Sequence, residues 1–100
     1  MTYEKTRPLY QSFDFVLEFS EIDEERWEVR KVEVFADGSM TWADESTPLD
    51  AKTRLSDQKL PTKEEIEGTV QLAIDVITPE AFEEAWRAAR SGEKWNLPSP

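Results

Sequence analysis

Twenty-two carboxylates are the reactive side chains this chain has in abundance, and neither histidine nor cysteine accompanies them. Acid–base work by imidazole, thiolate nucleophiles and the usual zinc ligands are therefore outside its chemistry. Two kinds of carboxylate chemistry remain: a general acid and base pair, as in glycoside hydrolysis, or an oxygen cage for a hard cation. No pair is singled out by spacing. The most acidic run, Glu21-Ile22-Asp23-Glu24-Glu25, lacks the alternating ligands, central glycine and distal glutamate of a calcium loop, and reads as a solvated turn. The glycines at 38, 68 and 92 stand alone, so no phosphate-cradling loop exists. These residues predict a protein that is not an enzyme and needs no metal or cofactor.

The elements that must position these acids are legible in part. Residues 26–42 read as a β-hairpin. A two-residue loop at Asp37-Gly38 would mix polar and apolar side chains on both faces. A three-residue loop, Ala36-Asp37-Gly38 with Gly38 left-handed, sets Val34 opposite Met40, Val32 opposite Trp42 and Glu33 opposite Thr41, and so segregates them. In that register Arg30 lies across from Asp44. Trp27 and Val29 are out of phase with Val32 and Val34, which predicts a β-bulge at Arg30-Lys31.

Upstream, Phe13, Phe15, Leu17 and Phe19 alternate with Asp14, Val16, Glu18 and Ser20, predicting a half-buried strand over 13–20 followed by a turn at Glu21–Glu25. Residues 46–61 carry Pro48 and Pro61 and read as a connection, with Thr53-Arg54-Leu55 as a candidate edge strand and Arg54 as a tether to one of many acids. Thr62-Lys63-Glu64-Glu65 is a capping box opening a short helix that ends near Gly68. Residues 70–77 fit both a strand and a helical stripe, and their β-branched side chains favour strand. Thr78-Pro79-Glu80 opens a helix over 79–91, with Phe82, Ala85, Trp86 and Ala89 on its apolar side.

The pattern Asp23-Glu24-Glu25-Arg26-Trp27-Glu28-Val29-Arg30-Lys31-Val32-Glu33-Val34-Phe35-Ala36-Asp37-Gly38 is joined by Ala43-Asp44-Glu45-Ser46 and Thr53-Arg54-Leu55. Pro61 with Glu64-Glu65-Ile66 follows, then Ile77-Thr78-Pro79-Glu80 with Phe82-Glu83 and Trp86. Together they resemble, over roughly residues 22–90, a family of small bacterial proteins known as a domain of unknown function. The resemblance implies a bacterial source and a compact α+β domain. It brings no catalytic residue.

The expected fold is α+β: a mainly antiparallel sheet of three or four strands from 13–20, 26–35, 39–45 and 70–77, the C-terminal helix on one face, and a second short helix. One domain spans 1–100, with its folded core at about 10–91 and a tail at 92–100 from which Trp95 and Leu97 could dock back. A chain this short holds one core. It shows no secretory signal and no apolar run near membrane-spanning length, which predicts a cytoplasmic protein without membrane contact.

A formal charge of −10 repels nucleic acid and anionic lipid alike. It favours a basic protein partner, docked at Glu21, Asp23, Glu24, Glu25, Trp27 and Glu28, and hence a non-enzymatic acidic binding module, such as an immunity or inhibitor protein covering a basic partner. Two alternatives stand beside it. One is an accessory or self-associating domain whose charge serves only solubility. The other is a small-molecule binder with carboxylates in a pocket and at least two buried acids titrating high.

Overall fold

A computed structural model describes residues 1–9, 13–66 and 72–97. Five strands, β1 (Thr2–Pro8), β2 (Leu17–Ile22), β3 (Glu28–Val34), β4 (Met40–Ala43) and β5 (Leu72–Val76), form one antiparallel sheet in the order β4-β3-β2-β1-β5. Two helices, α1 (Lys63–Ile66) and α2 (Pro79–Arg90), complete an α+β domain.

The hairpin forms in the segregated register. Val34 pairs with Met40, Val32 with Trp42 and Glu33 with Thr41, and Gly38 sits at φ +85°. The Gly38 amide donates to the Phe35 carbonyl at 2.8 Å, closing the turn. The capping box also forms: Glu65 Nα donates to Thr62 Oγ1, and the Thr62 amide donates to Glu65 Oε1. Thr78 caps α2 by accepting the Ala81 amide.

Several expectations are corrected. The sheet has five strands, because Thr2–Pro8, expected to precede the core, forms β1 between β2 and β5. The folded unit thus begins at residue 2 rather than near residue 10. The second strand starts at Leu17, not Phe13, and continues through Glu21 and Ile22, so the acidic turn begins two residues later than its charge suggests. Phe13 and Phe15 lie before the strand and stack on each other at 5.2 Å. The β3 irregularity lies at Val29, between the pairs Glu21–Arg30 and Ile22–Glu28, rather than at Arg30-Lys31. Residues 72–76 are strand, as the β-branched side chains favour, while Gly68 and Val70 lie outside the described residues. Thr53-Arg54-Leu55 forms no strand, and Arg54 donates to the Leu49 carbonyl instead of pairing with an acid.

Phe82, Ala85, Trp86 and Ala89 of α2 share a buried cluster with Phe19, Val32 and Val34. Trp42 meets Trp86 edge-on at 5.3 Å, and Tyr3 lies 5.4 Å from Phe82. The tail returns as expected. The Trp95 amide donates to the Gly38 carbonyl at 2.9 Å and its ring meets Phe19 edge-on at 5.3 Å.

Candidate functional site

Alternation along each strand divides the acids and bases of the chain between two faces of the sheet. On the α2 face stand Tyr3, Lys5 and Arg7 of β1, Leu17, Phe19 and Glu21 of β2, and Arg30, Val32 and Val34 of β3. Glu4, Thr6, Glu18, Ser20, Lys31 and Glu33 point the other way.

That other face is polar and is roofed by the segment between β4 and α1. Glu28 is its most buried carboxylate. Ser20 donates to it at 2.9 Å, Lys31 Nζ lies 3.0 Å away, and the Ser56 amide donates to its second oxygen at 2.8 Å. Lys31 also donates to the Arg54 carbonyl at 2.9 Å. Thr53 donates to Glu33 at 2.6 Å and shares a short hydrogen bond with Thr41. Glu18, opposite Glu33 in the ladder, is pushed up to about 8 by burial, with the neighbouring Glu28 and Glu33 adding to the effect against the pull of Lys31. Burial works against the charge of Lys31 as well, but Glu18 and Glu28 outweigh it, and the ammonium is held above its ordinary pKa.

On the α2 face, Arg30 joins sheet to helix. Its guanidinium grips Glu21 at 2.6 and 2.9 Å and Glu83 at 2.9 and 2.7 Å, and lies 4.8 Å from the ring centre of Phe82. Its expected partner, Asp44, instead accepts from Ser46 within its own turn. The Arg30 fork, with the Tyr3 hydroxyl at 2.8 Å, holds the Glu21 carboxylate below its ordinary pKa.

The six acidic-face candidates therefore separate. Glu21 and Glu28 are each 6% exposed and fully engaged inside the domain. Asp23 is turned onto the backbone, accepting the amides of Glu25 and Trp27 at 2.9 Å. Glu24 and Glu25 are exposed, and Trp27 is 41% exposed beside them. Arg26 fixes this turn. Although it is a non-glycine at φ 72°, its side chain donates to the Leu60 and Pro61 carbonyls and to Glu4.

A groove beside α2 was missed in the sequence. A sheet of five strands is about 19 Å across and a helix about 10 Å wide, so one helix leaves sheet uncovered. α2 packs over β1–β4. Beside it runs an open groove of about 1060 Å³, lined by Lys5 and Arg7 of β1, Asp75 of β5, Val16, Leu17, Phe19, Ala36 and Ile77, with Ala81 and Glu84 on the α2 wall and Trp95 and Leu97 on the tail wall. Glu84 is already bound by Arg87 at 2.8 Å. Lys5 faces Asp75 across the ladder, whereas Arg7 faces Ala73. Neither Lys5 nor Arg7 makes a side-chain hydrogen bond or ion pair among the described residues. The signal for this site was the spacing Lys5-x-Arg7 in a strand with Tyr3 on the same side.

Among the described residues no cluster of acids is arranged to hold a metal ion, and no helix is long and apolar enough to cross a membrane. No curated protein and no solved structure matches the chain. One family model does match, across residues 14–91, which takes in β2 to α2 and all of the acidic turn. The chain belongs to the family described as Domain of unknown function (DUF6881).

Proposed function

We propose that this domain is a non-enzymatic binding module that receives a small molecule in the groove beside α2. The observation carrying this reading is the groove itself: a concavity of about 1060 Å³ lined by Leu17, Phe19, Ile77, Trp95 and Leu97, with a few polar groups at its margins. That mixture of apolar lining and sparse polar groups is what ligand sites use. Two acids, Asp75 and Glu84, line the groove, the latter held by Arg87, and the buried acids of the sheet lie elsewhere. Glu18, Glu28 and Glu33 are on the opposite face, engaged with Lys31, Ser20, Ser56 and Thr53 beneath the segment that roofs them.

A polarity-sensitive fluorophore tests this reading. The protein is expected to enhance and blue-shift its emission, and Ala81→Trp, which fills the α2 wall, is expected to abolish the effect with the fold intact by circular dichroism. Equal enhancement by both proteins would contradict it.

A second reading is supported by a separate observation: Glu24, Glu25 and the 41% exposed Trp27 stand together on the turn that Asp23 and Arg26 hold rigid. An aromatic beside carboxylates is an anchor for a basic protein, in keeping with an inhibitor or immunity role in a bacterial cell. This surface is smaller than the six residues suggest, since Glu21 and Glu28 are turned inward.

A further inference from the structure

We infer that the groove selects an elongated amphiphile with a single carboxylate, bound as the free molecule, with its anionic end at Arg7 and Lys5 and its aliphatic body over Leu17, Phe19 and Trp95. The inference rests on the groove being a ligand site and adds the ligand's chemistry.

The argument begins with the disposition of the cations. The chain has 12 lysines and arginines in a protein of charge −10. Arg26, Arg30, Lys31 and Arg87 are in ion pairs. Lys52, Lys59 and Arg90 lie over aromatic rings, and Arg54 is bound to a backbone carbonyl. Four of the twelve, Lys5, Arg7, Lys63 and Lys94, make no side-chain hydrogen bond, ion pair or ring contact among the described residues. Lys5 and Arg7 are two such cations, on one face of one strand, about 7 Å apart by strand geometry, and both line the same groove.

The acids in the groove do not cancel them equally. Asp75 lies across from Lys5, and Glu84 is held by Arg87, so the unbalanced positive charge is centred on Arg7. A guanidinium at the margin of an apolar surface suits a carboxylate, which it can grip through two parallel hydrogen bonds. The floor suits hydrocarbon. It offers Leu17, Phe19, Ile77, Trp95 and Leu97, and few groups to satisfy the amides of an extended peptide, whose burial there would leave polar groups unpaired. A vesicle bearing the same anionic groups would meet the repulsion of the whole protein, whereas a monomeric amphiphile carries one charge and enters the groove alone.

Titration calorimetry with sub-micellar dodecanoate, dodecanol and dodecyltrimethylammonium tests the inference on the full chain. Dodecanoate is expected to bind tightest of the three and the ammonium weakest. Arg7→Glu is expected to weaken dodecanoate binding by about tenfold or more, the effect of losing one charge-assisted pair, with dodecanol binding nearly unchanged and Arg7→Lys retaining part of the affinity. Dodecanol binding as tightly as dodecanoate, or indifference of dodecanoate to Arg7→Glu, would overturn the inference and leave the groove as a neutral apolar site. Absence of binding by all three would overturn the groove reading itself. Capture by anionic vesicles with no binding of the monomer would likewise reject the free amphiphile.

Discussion

Glu18 of β2 and Glu33 of β3 stand directly opposite each other in the sheet, two carboxylates at a position where strand pairing ordinarily avoids like charges. Burial pushes the pKa of Glu18 up to about 8, Thr53 donates to Glu33, and Lys31 stands within 4.0 Å of Glu18, which together ease the repulsion of the pair.

This relationship predicts a pH dependence of stability. The folded pKa of Glu18 lies above its unfolded value, so its contribution is fully present below about pH 4.5 and is lost as pH rises through about 8. Across that window a single such group changes stability by up to about 1.4 kcal/mol per pH unit. Glu18→Gln, which keeps the hydrogen-bonding shape without the charge, is expected to flatten this decline and to raise the denaturation midpoint at pH 8. Urea titrations of both proteins at pH 5 and pH 8 check it. Parallel pH dependence in the two proteins would contradict the assignment.

The opposite sign applies to Glu21. Its pKa is lowered by the Arg30 fork, so its stabilisation is present above the unfolded value and is lost as pH falls through the folded one. Together the two glutamates place the most stable condition in mildly acid solution. Arg30→Met is expected to cost about 2–4 kcal/mol, because Glu21 is left buried without its cation. Adding Glu21→Gln to Arg30→Met is expected to recover part of the loss, which thermal denaturation of the single and double variants measures.

Gly38 carries two constraints. It sits at φ +85°, and a Cβ there would come within 3.0 Å of the Trp95 carbonyl oxygen. Gly38→Ala is therefore expected to destabilise the hairpin by about 1–2 kcal/mol and to displace the tail that forms one wall of the groove. A red shift of tryptophan emission accompanying a lowered Tm would register both effects. Unchanged emission would show that the tail does not depend on this turn.

Among the described residues Trp27 lies outside the buried core cluster, and Lys59 lies over its ring at 5.8 Å. Trp27→Ala is expected to change stability by no more than about 0.5 kcal/mol, as for an exposed position. A larger loss in urea titration would identify Trp27 as part of the folded core and remove it as a docking anchor.

What was legible in the sequence follows from how sharply side chains segregate. The hairpin register could be chosen because only one pairing places Val32, Val34, Met40 and Trp42 together, and the capping box and α2 carry their own hydrogen-bonding signatures. β1 was obscured because both of its faces carry charge. Glu4 is buried against Arg26, and Lys5 and Arg7 look into a groove, so Thr2–Pro8 has no apolar alternation to reveal it. The inward acids were obscured for a related reason. Glu18, Ser20 and Glu33 were correctly separated from the aromatic face, but alternation says nothing of whether the polar face meets water or a roof of chain. Here it meets Thr53, Arg54 and Ser56. Charge alone therefore misplaced Glu21 and Glu28, whose partners come from neighbouring strands rather than from solvent.

The most direct measurement is an amide chemical-shift map of the labelled protein titrated with sub-micellar dodecanoate. Binding in the groove predicts perturbations at Lys5, Arg7, Leu17, Phe19, Ala81 and Trp95, with Glu24, Glu25 and Trp27 unmoved. Perturbations confined to residues 23–27, or none at saturating ligand, would contradict the account.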